Sequence, residues 1–317
     1  NDLRFLYILS WTQLNNAYTF GDTNSQLGIY EGRYPDYLAT WQRPRKYNLA
    51  FESSMLNVLL AVYFDWFQDR RTDILTSYLT NPSWIGVIDY APANLGKTKN
   101  GGFELEVKHR NKIGKVNYYV NATYARAKNE ILYKDEAPFM TDYRKREGHP
   151  INQYFGLICD GFITQADIDG GQLAQSSFGN TQVGDLKYRD MKGDGFIDER
   201  DETFIGYSDI PENTYSLSLG ADYKGFAFSV LFQGVSNVSR YYDAEAQFAF
   251  VNGGKVKEHH LQRWNPAKSD TENLANAKYP LLHYDSYGNH NQRASSFFLK
   301  NGEFLRIKNI ELSYSLP

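Results

Sequence analysis

Apolar and polar residues alternate at period two in much of the chain, which predicts strands with one apolar and one polar face. The clearest stretch is FELEVKHR, residues 103–110, in which the apolar residues Phe103, Leu105 and Val107 alternate with charged residues. The same period predicts strands over residues 46–52, 59–70, 116–128, 215–223, 226–233 and 304–314. Within residues 59–70 the pattern groups Leu59, Ala61, Tyr63 and Asp65 on one face. The sequence therefore predicts an all-β fold.

The connections between these strands differ in length at the two ends of the predicted sheet. Short turns at residues 53–57, 111–115 and 224–225 join strands at one end, and long excursions from Arg71, Asn129 and Ser236 join them at the other. Outer-membrane barrels have short periplasmic turns and long extracellular loops. The pattern predicts a partial antiparallel transmembrane β-barrel, with the apolar faces of a curved, unclosed sheet pointing outward. An ordinary antiparallel sheet with one solvated face would show the same alternation.

The longest excursions, residues 129–213 and 236–302, contain local signals of their own. In the first, residues 154–163 are predicted to be extended, and Thr164 is predicted to cap a short helix. In the second, a helix is predicted over residues 255–264 because Asn265-Pro266 would end it. Near the start of the chain, residues 3–11 form an apolar run whose boundaries the pattern does not define.

Composition narrows the class of protein. The 317 residues carry a net charge of -3 and 16% aromatic residues, so no basic surface for nucleic acid is predicted. The mean hydropathy is -0.56. The sequence contains no apolar run of about 18 residues, which excludes a transmembrane helix but not a barrel. Because the chain starts at Asn1 without a signal peptide, we expect either a cytoplasmic protein or one whose start lies outside this sequence.

Catalytic patterns are weak. The single Cys159 excludes an internal disulfide and is interpreted as an inert thiol. His259 and His260 are adjacent on the predicted helix, so we expect them to point to different faces of a solvated loop. Glu104 and Glu106 lie on one strand face about 7 Å apart, whereas a glycosidase needs two acids across a cleft. The sequence therefore does not predict an enzyme.

An acidic loop at residues 190–201 has the spacing of a twelve-position calcium loop. The possible ligands are Asp190, Asp194, the Phe196 carbonyl, Asp198 and Asp201, with Gly195 at the sharp turn. Lys192 occupies a ligand position and repels a cation, so we expect weak or absent calcium binding. With calcium bound, Lys192 would point to solvent; without it, Lys192 would fold inward against the carboxylates. The flanking residues are predicted to be extended, which excludes an EF-hand.

Several segments together resemble the SusC/RagA family of TonB-dependent outer-membrane transporters. They are, in family order, TWQRPRKYNLAFE, PANLGKTKNGGFELEVKHR, GDLKYRDMKGDGFIDERDETFIG, YSLSLGADYKGFAFSVLFQG, LQRWNPAKSDTEN and FLKNGEFLRIKNIELSYSLP. The resemblance covers nearly the whole chain and is weakest before Trp41. Family loops usually have Asn at the position of Lys192.

The resemblance implies a barrel in the cell outer membrane with an N-terminal plug, energised through TonB and paired with a SusD-like surface lipoprotein. It implies oligosaccharides, or sometimes peptides, as substrates. Residues 1–317 would be a segment of the barrel domain, and we expect the plug, the signal peptide and the final strands to lie outside it. The excursions 129–213 and 236–302 would form the extracellular rim that contacts the lipoprotein.

A second hypothesis remains open at this point. A secreted glycan-binding β-protein stabilised by calcium would share the aromatic content and the acidic loop. Such a protein would fold as a compact body of this length and would not place an apolar face against lipid.

Overall fold

The computed structural model describes residues 5–21, 24–57, 59–77, 84, 89–138, 140–284 and 289–316. The chain divides into two compact units. The first contains Asn1–Ile151, Leu219–Ala227 and Tyr314–Pro317, and the second contains Asn152–Ser218 and Phe228–Ser313. Within the described part of the chain, no helix is long and apolar enough to cross a membrane.

Strands make up most of both units. They are β1 (Trp11–Phe20), β2 (Asn24–Glu31), β3 (Arg33–Tyr34), β4 (Arg43–Met55), β5 (Leu60–Thr76), β6 (Asp89–Tyr90), β7 (Ala93–Ile113), β8 (Val116–Tyr133), β9 (Gln153–Gly156), β10 (Cys159–Phe162), β11 (Gln175–Ser176), β12 (Leu186–Tyr188), β13 (Phe196–Ile197), β14 (Thr203–Ser208), β15 (Asn213–Tyr223), β16 (Phe226–Ser236), β17 (Ser239–Tyr241), β18 (Leu299–Asn301) and β19 (Phe304–Tyr314). The helices are α1 (Gln165–Asp169), α2 (Asp270–Asn276) and short 3-10 turns at Asp142–Arg144, Glu199–Asp201, Ala244–Ala246, Val251–Gly253, Glu258–Gln262 and His290–Gln292.

Seven long strands are hydrogen-bonded neighbours in the order β19-β16-β15-β8-β7-β5-β4, and the four strands β8, β7, β5 and β4 lie entirely in the first unit. The β4/β5, β5/β7 and β7/β8 pairs are antiparallel, and β4/β5 keeps its register from Arg43 opposite Thr72 to Met55 opposite Leu60. Lys224 and Gly225 both have positive φ, which suits a two-residue turn between neighbouring antiparallel strands. The predicted all-β sheet is therefore confirmed, and several strands extend beyond their predicted bounds.

The register divides the side chains of the first unit between two faces. On one face, Trp66 lies opposite Leu49 and Phe103. On the other, Asp65 lies opposite Glu104. Trp66 and Leu49 expose 40% and 66% of their surface. An exposed aromatic and aliphatic face backed by a polar face is the pattern of a barrel wall between lipid and water.

The register shows which face of β5 is apolar, a point that the alternation did not decide. Ala61, Tyr63 and Asp65 share a face as expected, but this is the polar face, because they lie opposite Lys108, Glu106 and Glu104 of β7; Leu59 precedes the strand. Residues 59–62 are apolar at both parities, so the alternation there does not identify the apolar face. The apolar stripe consists of Leu60, Val62, Phe64 and Trp66.

The start of the chain and the connection after β5 also differ from expectation. The described part of the predicted apolar run, residues 5–11, forms turns until β1 begins, and residues 3 and 4 lie outside the described residues. β1 and β2 form an antiparallel hairpin that the alternation did not reveal. The connection predicted from Arg71 to Gly101 is shorter, because β5 reaches Thr76 and β7 begins at Ala93. Of that connection, residues 78–83 and 85–88 lie outside the described residues.

The second unit contains most of the two long excursions, together with most of β16 and β19, and has its own hydrophobic core. Leu157, Leu186, Tyr188 and Ile197 from the first excursion pack with Phe248, Val251, Tyr279 and Phe298 from the second. The rings of Phe248 and Phe298 meet edge to face with centroids 5.0 Å apart. Burial of these side chains provides the main stabilisation of the unit, since the excursions contain few long strands.

The predictions for helices in the second unit are partly correct. α1 begins after Thr164, whose side chain and that of Asp167 form a reciprocal capping box. The helix predicted over residues 255–264 is wrong in extent, because only Glu258–Gln262 is helical and it is a 3-10 turn. The backbone is extended from Arg263, and the Trp264 N–H donates to the Tyr279 carbonyl at 2.8 Å. α2 was not predicted.

Candidate functional site

The acidic loop at residues 190–201 folds around its own backbone amides. The two carboxylate oxygens of Asp190 accept the N–H groups of Gly193 and Gly195 at 2.6 and 2.7 Å. Both glycines have positive φ, +74° and +82°, which other residues adopt only at a cost. The sharp turn expected at Gly195 is therefore present and is organised by Asp190.

Asp201 closes the loop from the inside. Its side chain is 1% exposed and accepts the N–H groups of Met191 and Lys192 at 3.0 and 3.2 Å and that of Asp198 at 2.8 Å. A buried carboxylate with three amide donors is well satisfied without a further partner. Asp201 therefore acts as a structural residue of the turn.

Two cations pair with carboxylates of the loop. The Lys192 ammonium pairs with Asp194, and the Arg200 guanidinium pairs with Asp198 and approaches Asp194 at 3.9 Å. Lys192 lowers the pKa of Asp194, and Arg200 lowers the pKa of Asp198. The inward position of Lys192 is the one expected for a loop without calcium.

The structure brings the expected calcium ligands into one turn without leaving their oxygens free for an ion. These ligands are Asp190, Asp194, Phe196, Asp198 and Asp201. The four carboxylates are already used as acceptors for backbone amides or for the two cations. Within the described residues, no three His, Cys, Asp or Glu side chains are placed to hold a metal ion together. As arranged, the loop does not fit a calcium ion, and calcium binding by this chain stays a prediction.

A buried polar network next to the loop was missed by sequence reasoning. Asp185 is 1% exposed and accepts from His283 Nε2 at 2.6 Å, from Asn291 Nδ2 at 2.7 Å and from the Gln182 N–H at 2.8 Å. The Asn291 side chain also accepts from the Leu186 N–H at 2.9 Å. The network fixes the approach of the second excursion to β12. Its partners lie about a hundred positions apart, so spacing could not reveal it; the one local signal was an acid beside the apolar β12.

A polar cavity of about 580 Å³ lies beside α1 and β12. Two ion pairs form its walls: Arg189 contacts Asp160 through two nitrogens at 2.5 and 3.0 Å, and Lys187 contacts Asp167 at 2.5 Å. Lys187 and Arg189 alternate with the buried Tyr188 along β12, so both point to the cavity side. The Lys187 ammonium and the helix cap lower the pKa of Asp167 to about 2.

Cys159 and the two histidines lie in the same unit. Burial raises the pKa of the Cys159 thiol to about 11. Because the thiolate is the reactive form, this raised pKa agrees with the predicted inert thiol. The expectation that the histidines point to different faces is wrong, because both ring Nε2 atoms contact the Gln247 carbonyl, at 3.1 Å for His259 and 3.0 Å for His260. His259 is exposed, as expected for a solvated loop. His260 is fully buried against Tyr279, since the 3-10 turn packs onto the second excursion rather than projecting into solvent.

Comparison with known proteins gives consistent matches. No family model matches the chain. One TonB-dependent receptor of Formosa agariphila is 24% identical over 306 residues, which are 92% of this chain and 29% of that receptor. A second from the same organism is 23% identical over 293 residues, 87% of this chain and 27% of that receptor.

Solved structures share the fold. The RagAB peptide importer in its open-open state matches with a TM-score of 0.69 and 19% identity, covering 99% of this chain and 32% of that one. A further structure of the RagAB peptide transporter matches with a TM-score of 0.67 and 20% identity over 98% of this chain. The chain is thus similar in sequence to TonB-dependent receptors and shares its fold with the RagAB structures, in agreement with the resemblance to SusC/RagA-type receptors.

These similarities confirm the predicted location in the outer membrane. The chain spans about 29% of the length of the curated receptor that it matches over most of its own length. These similarities favour the outer-membrane transporter hypothesis over that of a secreted glycan-binding protein. The acids considered for hydrolysis lie along the polar face of the receptor's sheet, where Glu106 pairs with Lys108 at 2.9 Å.

Proposed function

We propose that the receptor imports oligosaccharides or peptides across the outer membrane, energised through TonB and paired with a SusD-like surface lipoprotein. The observation that carries the proposal is the division of the sheet into an apolar and a polar face, together with excursions that pack on a shared core. A barrel wall that ends in folded extracellular structure suits the selective uptake of large solutes better than it suits passive diffusion. The importer activity of the RagAB relatives supports the same class of function.

The cavity beside α1 and β12 is the candidate for contact with the substrate. Its charged side chains are paired within the wall, so a ligand meets alternating donors and acceptors rather than one net charge. Uncharged polar groups, such as sugar hydroxyls or peptide amides, fit such a surface without requiring a counter-charge. The volume of about 580 Å³ is in the range of small-molecule sites, enough for one or two residues of a longer substrate.

Uptake by cells that carry the intact receptor tests the role of the cavity. The double substitution Arg189→Gln with Asp160→Asn keeps the net charge and removes the ion pair, and we expect reduced uptake of labelled oligosaccharide or peptide. A matched control is Lys145→Gln with Asp142→Asn, which removes an exposed ion pair elsewhere in the chain. Equal uptake by both variants, with equal amounts in the membrane, would contradict a substrate role for the cavity.

The energy source is tested separately. Cells without TonB are expected to bind the substrate at their surface and to fail to accumulate it. Accumulation at the normal rate in those cells would argue for a passive pore and against energised import.

The lipoprotein contact is proposed for the second excursion, where large apolar side chains are exposed. Leu261 exposes 71% of its surface, Tyr242 53% and Val256 43%. Deletion of residues 243–264 would also remove Phe248 and Trp264 from the interior, so single surface substitutions are the sharper test. We expect Leu261→Ser to reduce co-purification of the lipoprotein, and Ile168→Ser in the first excursion to leave it unchanged. Full recovery with Leu261→Ser would count against this surface.

A further inference from the structure

Five cationic side chains lie on the apolar face of the sheet in the first unit. Arg45 of β4, Arg70 of β5 and Lys99 of β7 are directly opposite one another and form a row across three strands. Lys128 and Arg126 of β8 lie on the same face, opposite Gly101 and Phe103. We call Arg45, Arg70, Lys99, Arg126 and Lys128 the basic patch.

The basic patch begins where the apolar surface ends. Along β5 the same face carries Phe64, Trp66, Gln68 and then Arg70, and along β8 it carries Tyr124 and then Arg126. Trp66 lies opposite Phe103, and the rings of Phe103 and Tyr124 lie 5.7 Å apart, so the three form an aromatic row. Arg126 lies opposite Phe103 at the level of this row, and the other four cations lie beyond it. Trp and Tyr favour the level of lipid headgroups. The cations therefore continue the membrane-facing surface and do not belong to the polar interior.

The patch lies at the end of the sheet opposite the tight turns. The turns after Met55 and Ile113 close the other end, and barrels have such short turns on the periplasmic side. Arg126 is two residues beyond Tyr124, and Arg70 is four beyond Trp66, or about 7 and 13 Å along a strand. With the usual strand tilt, both distances fall within the headgroup layer of the outer leaflet.

The positive charge of the patch is largely uncompensated by protein. All five cations are exposed, and none is within ion-pair distance of an acid among the residues that the structure describes. The acid that shares the patch surface is Glu130, opposite Lys99. Two neighbouring cations of β4 and β5 are paired: Arg43 with Asp73 at 3.0 Å, and Arg71 with Asp69 at 3.0 Å.

The row of like charges is unfavourable without an anion. Cations directly opposite each other on neighbouring strands repel and destabilise the sheet, and a row of three adds a second repulsive pair. Gly101, which lacks a side chain, lies next to Lys99 and Lys128 beside a groove of about 270 Å³. A phosphate group in this groove would accept hydrogen bonds from both ammonium groups and offset the repulsion.

We infer that the basic patch binds the phosphate groups of anionic lipids in the outer leaflet. The aromatic row positions the chain at the headgroup level, and the cations then hold the headgroups laterally against β4, β5, β7 and β8. The bound lipid would fix the depth of the receptor in the membrane, which sets the height of its extracellular excursions.

Lipid retention by the intact receptor tests the inference. The receptor, purified in neutral detergent, is titrated with phosphatidylglycerol or with phosphatidylcholine of the same chain length, and retained lipid is measured by mass spectrometry. Arg70→Gln with Lys99→Gln removes two members of the row. We expect a loss of phosphatidylglycerol affinity of about five-fold for each cation removed, with little change for phosphatidylcholine.

A matched control removes two cations from the opposite face of the same sheet. Lys46→Gln with Lys112→Gln changes the net charge equally and is expected to leave retention unchanged, because these side chains face the interior. Equal retention by the two double variants would overturn the inference. Displacement of the lipid by inorganic phosphate at equal concentration would also overturn it, since free phosphate would then be the preferred occupant. Circular dichroism confirms that both variants are folded.

Discussion

Gly184 lies directly against the indole of Trp264, and this contact joins the two excursions of the second unit. A Cβ atom built on Gly184 would overlap the Cδ1 and Cγ atoms of Trp264. Gly184 has φ of +94°, and its carbonyl accepts the Leu281 N–H at 2.8 Å. Trp264 is 1% exposed. The glycine is therefore required both by its backbone conformation and by the close approach of the ring.

Gly184→Ala is expected to destabilise the second unit. The added methyl group forces the buried indole of Trp264 to move, which costs about 1–3 kcal/mol in a packed interior. Gly171→Ala is the matched control, because Gly171 also has positive φ but no atom lies within 4 Å of the point that a Cβ would occupy. Protease cleavage of the intact receptor within residues 152–218, followed with temperature, measures the difference. Equal melting of the two variants would show that Trp264 adapts to the methyl group.

Asp201→Asn is expected to loosen the acidic loop even when no metal is present. The amide keeps one acceptor oxygen, so at least one of three buried backbone N–H groups loses its partner, at a cost of about 1–3 kcal/mol. Hydrogen exchange of the Met191, Lys192 and Asp198 amides in chelator-treated protein measures this directly. Asp209→Asn, in a neighbouring loop, serves as the control. Unchanged exchange in Asp201→Asn would assign the residue a role other than closing the turn.

The sequence was sufficient to predict the strands that have one apolar face and one polar face. Residues 103–108 and 120–124 alternate because one face is apolar and the other polar, and both segments lie in strands with the predicted facing. Alternation was uninformative at residues 59–62, where both parities are apolar. It also missed β1 and β2, whose side chains are mostly exposed on both faces and therefore show no clear period.

The second unit could be predicted only in part. Thr164 followed by Asp167 is a local capping signal, and α1 formed where expected. The core that joins Leu157 to Phe298, and the network around Asp185, depend on partners far apart in the chain. Neither the hydrophobic period nor the spacing of residues along the chain indicates such contacts. The helix predicted over residues 255–264 failed for the same reason, since pairing of Trp264 with Tyr279 overrides local propensity.

The second unit is expected to lose stability in mild acid. Burial lowers the pKa of His260 and of His290 below the ordinary value of 6.5. Below about pH 6.5 these two histidines are protonated in the unfolded chain but remain neutral in the folded chain. The free energy of unfolding therefore falls as the pH drops toward the lowered pKa values. Protease cleavage within residues 152–313 should therefore rise between about pH 7.5 and about pH 5.5. The pH dependence should shrink in His290→Gln, and a dependence of the same size in that variant would contradict the assignment to this ring.

Calcium binding by the acidic loop is expected to be weak because the loop already contains its own cations. Lys192 pairs with Asp194, and Arg200 pairs with Asp198, so an ion must displace two side chains before it reaches an oxygen shell. Lys192→Asn replaces the repelling charge with a neutral group that has a carbonyl oxygen. We expect it to raise calcium affinity at least ten-fold, or about 1.4 kcal/mol.

Calorimetry of the intact receptor with calcium chloride measures the affinity of each variant. Lys187→Asn is the matched control, because it makes the same substitution at an ion pair outside the loop and should leave calcium affinity unchanged. The combination of Lys192→Asn with Arg200→Gln should bind more tightly than Lys192→Asn alone, since it also frees Asp198. Tight binding by the unsubstituted receptor would show that calcium displaces both cations at little cost and that Lys192 moves out to solvent.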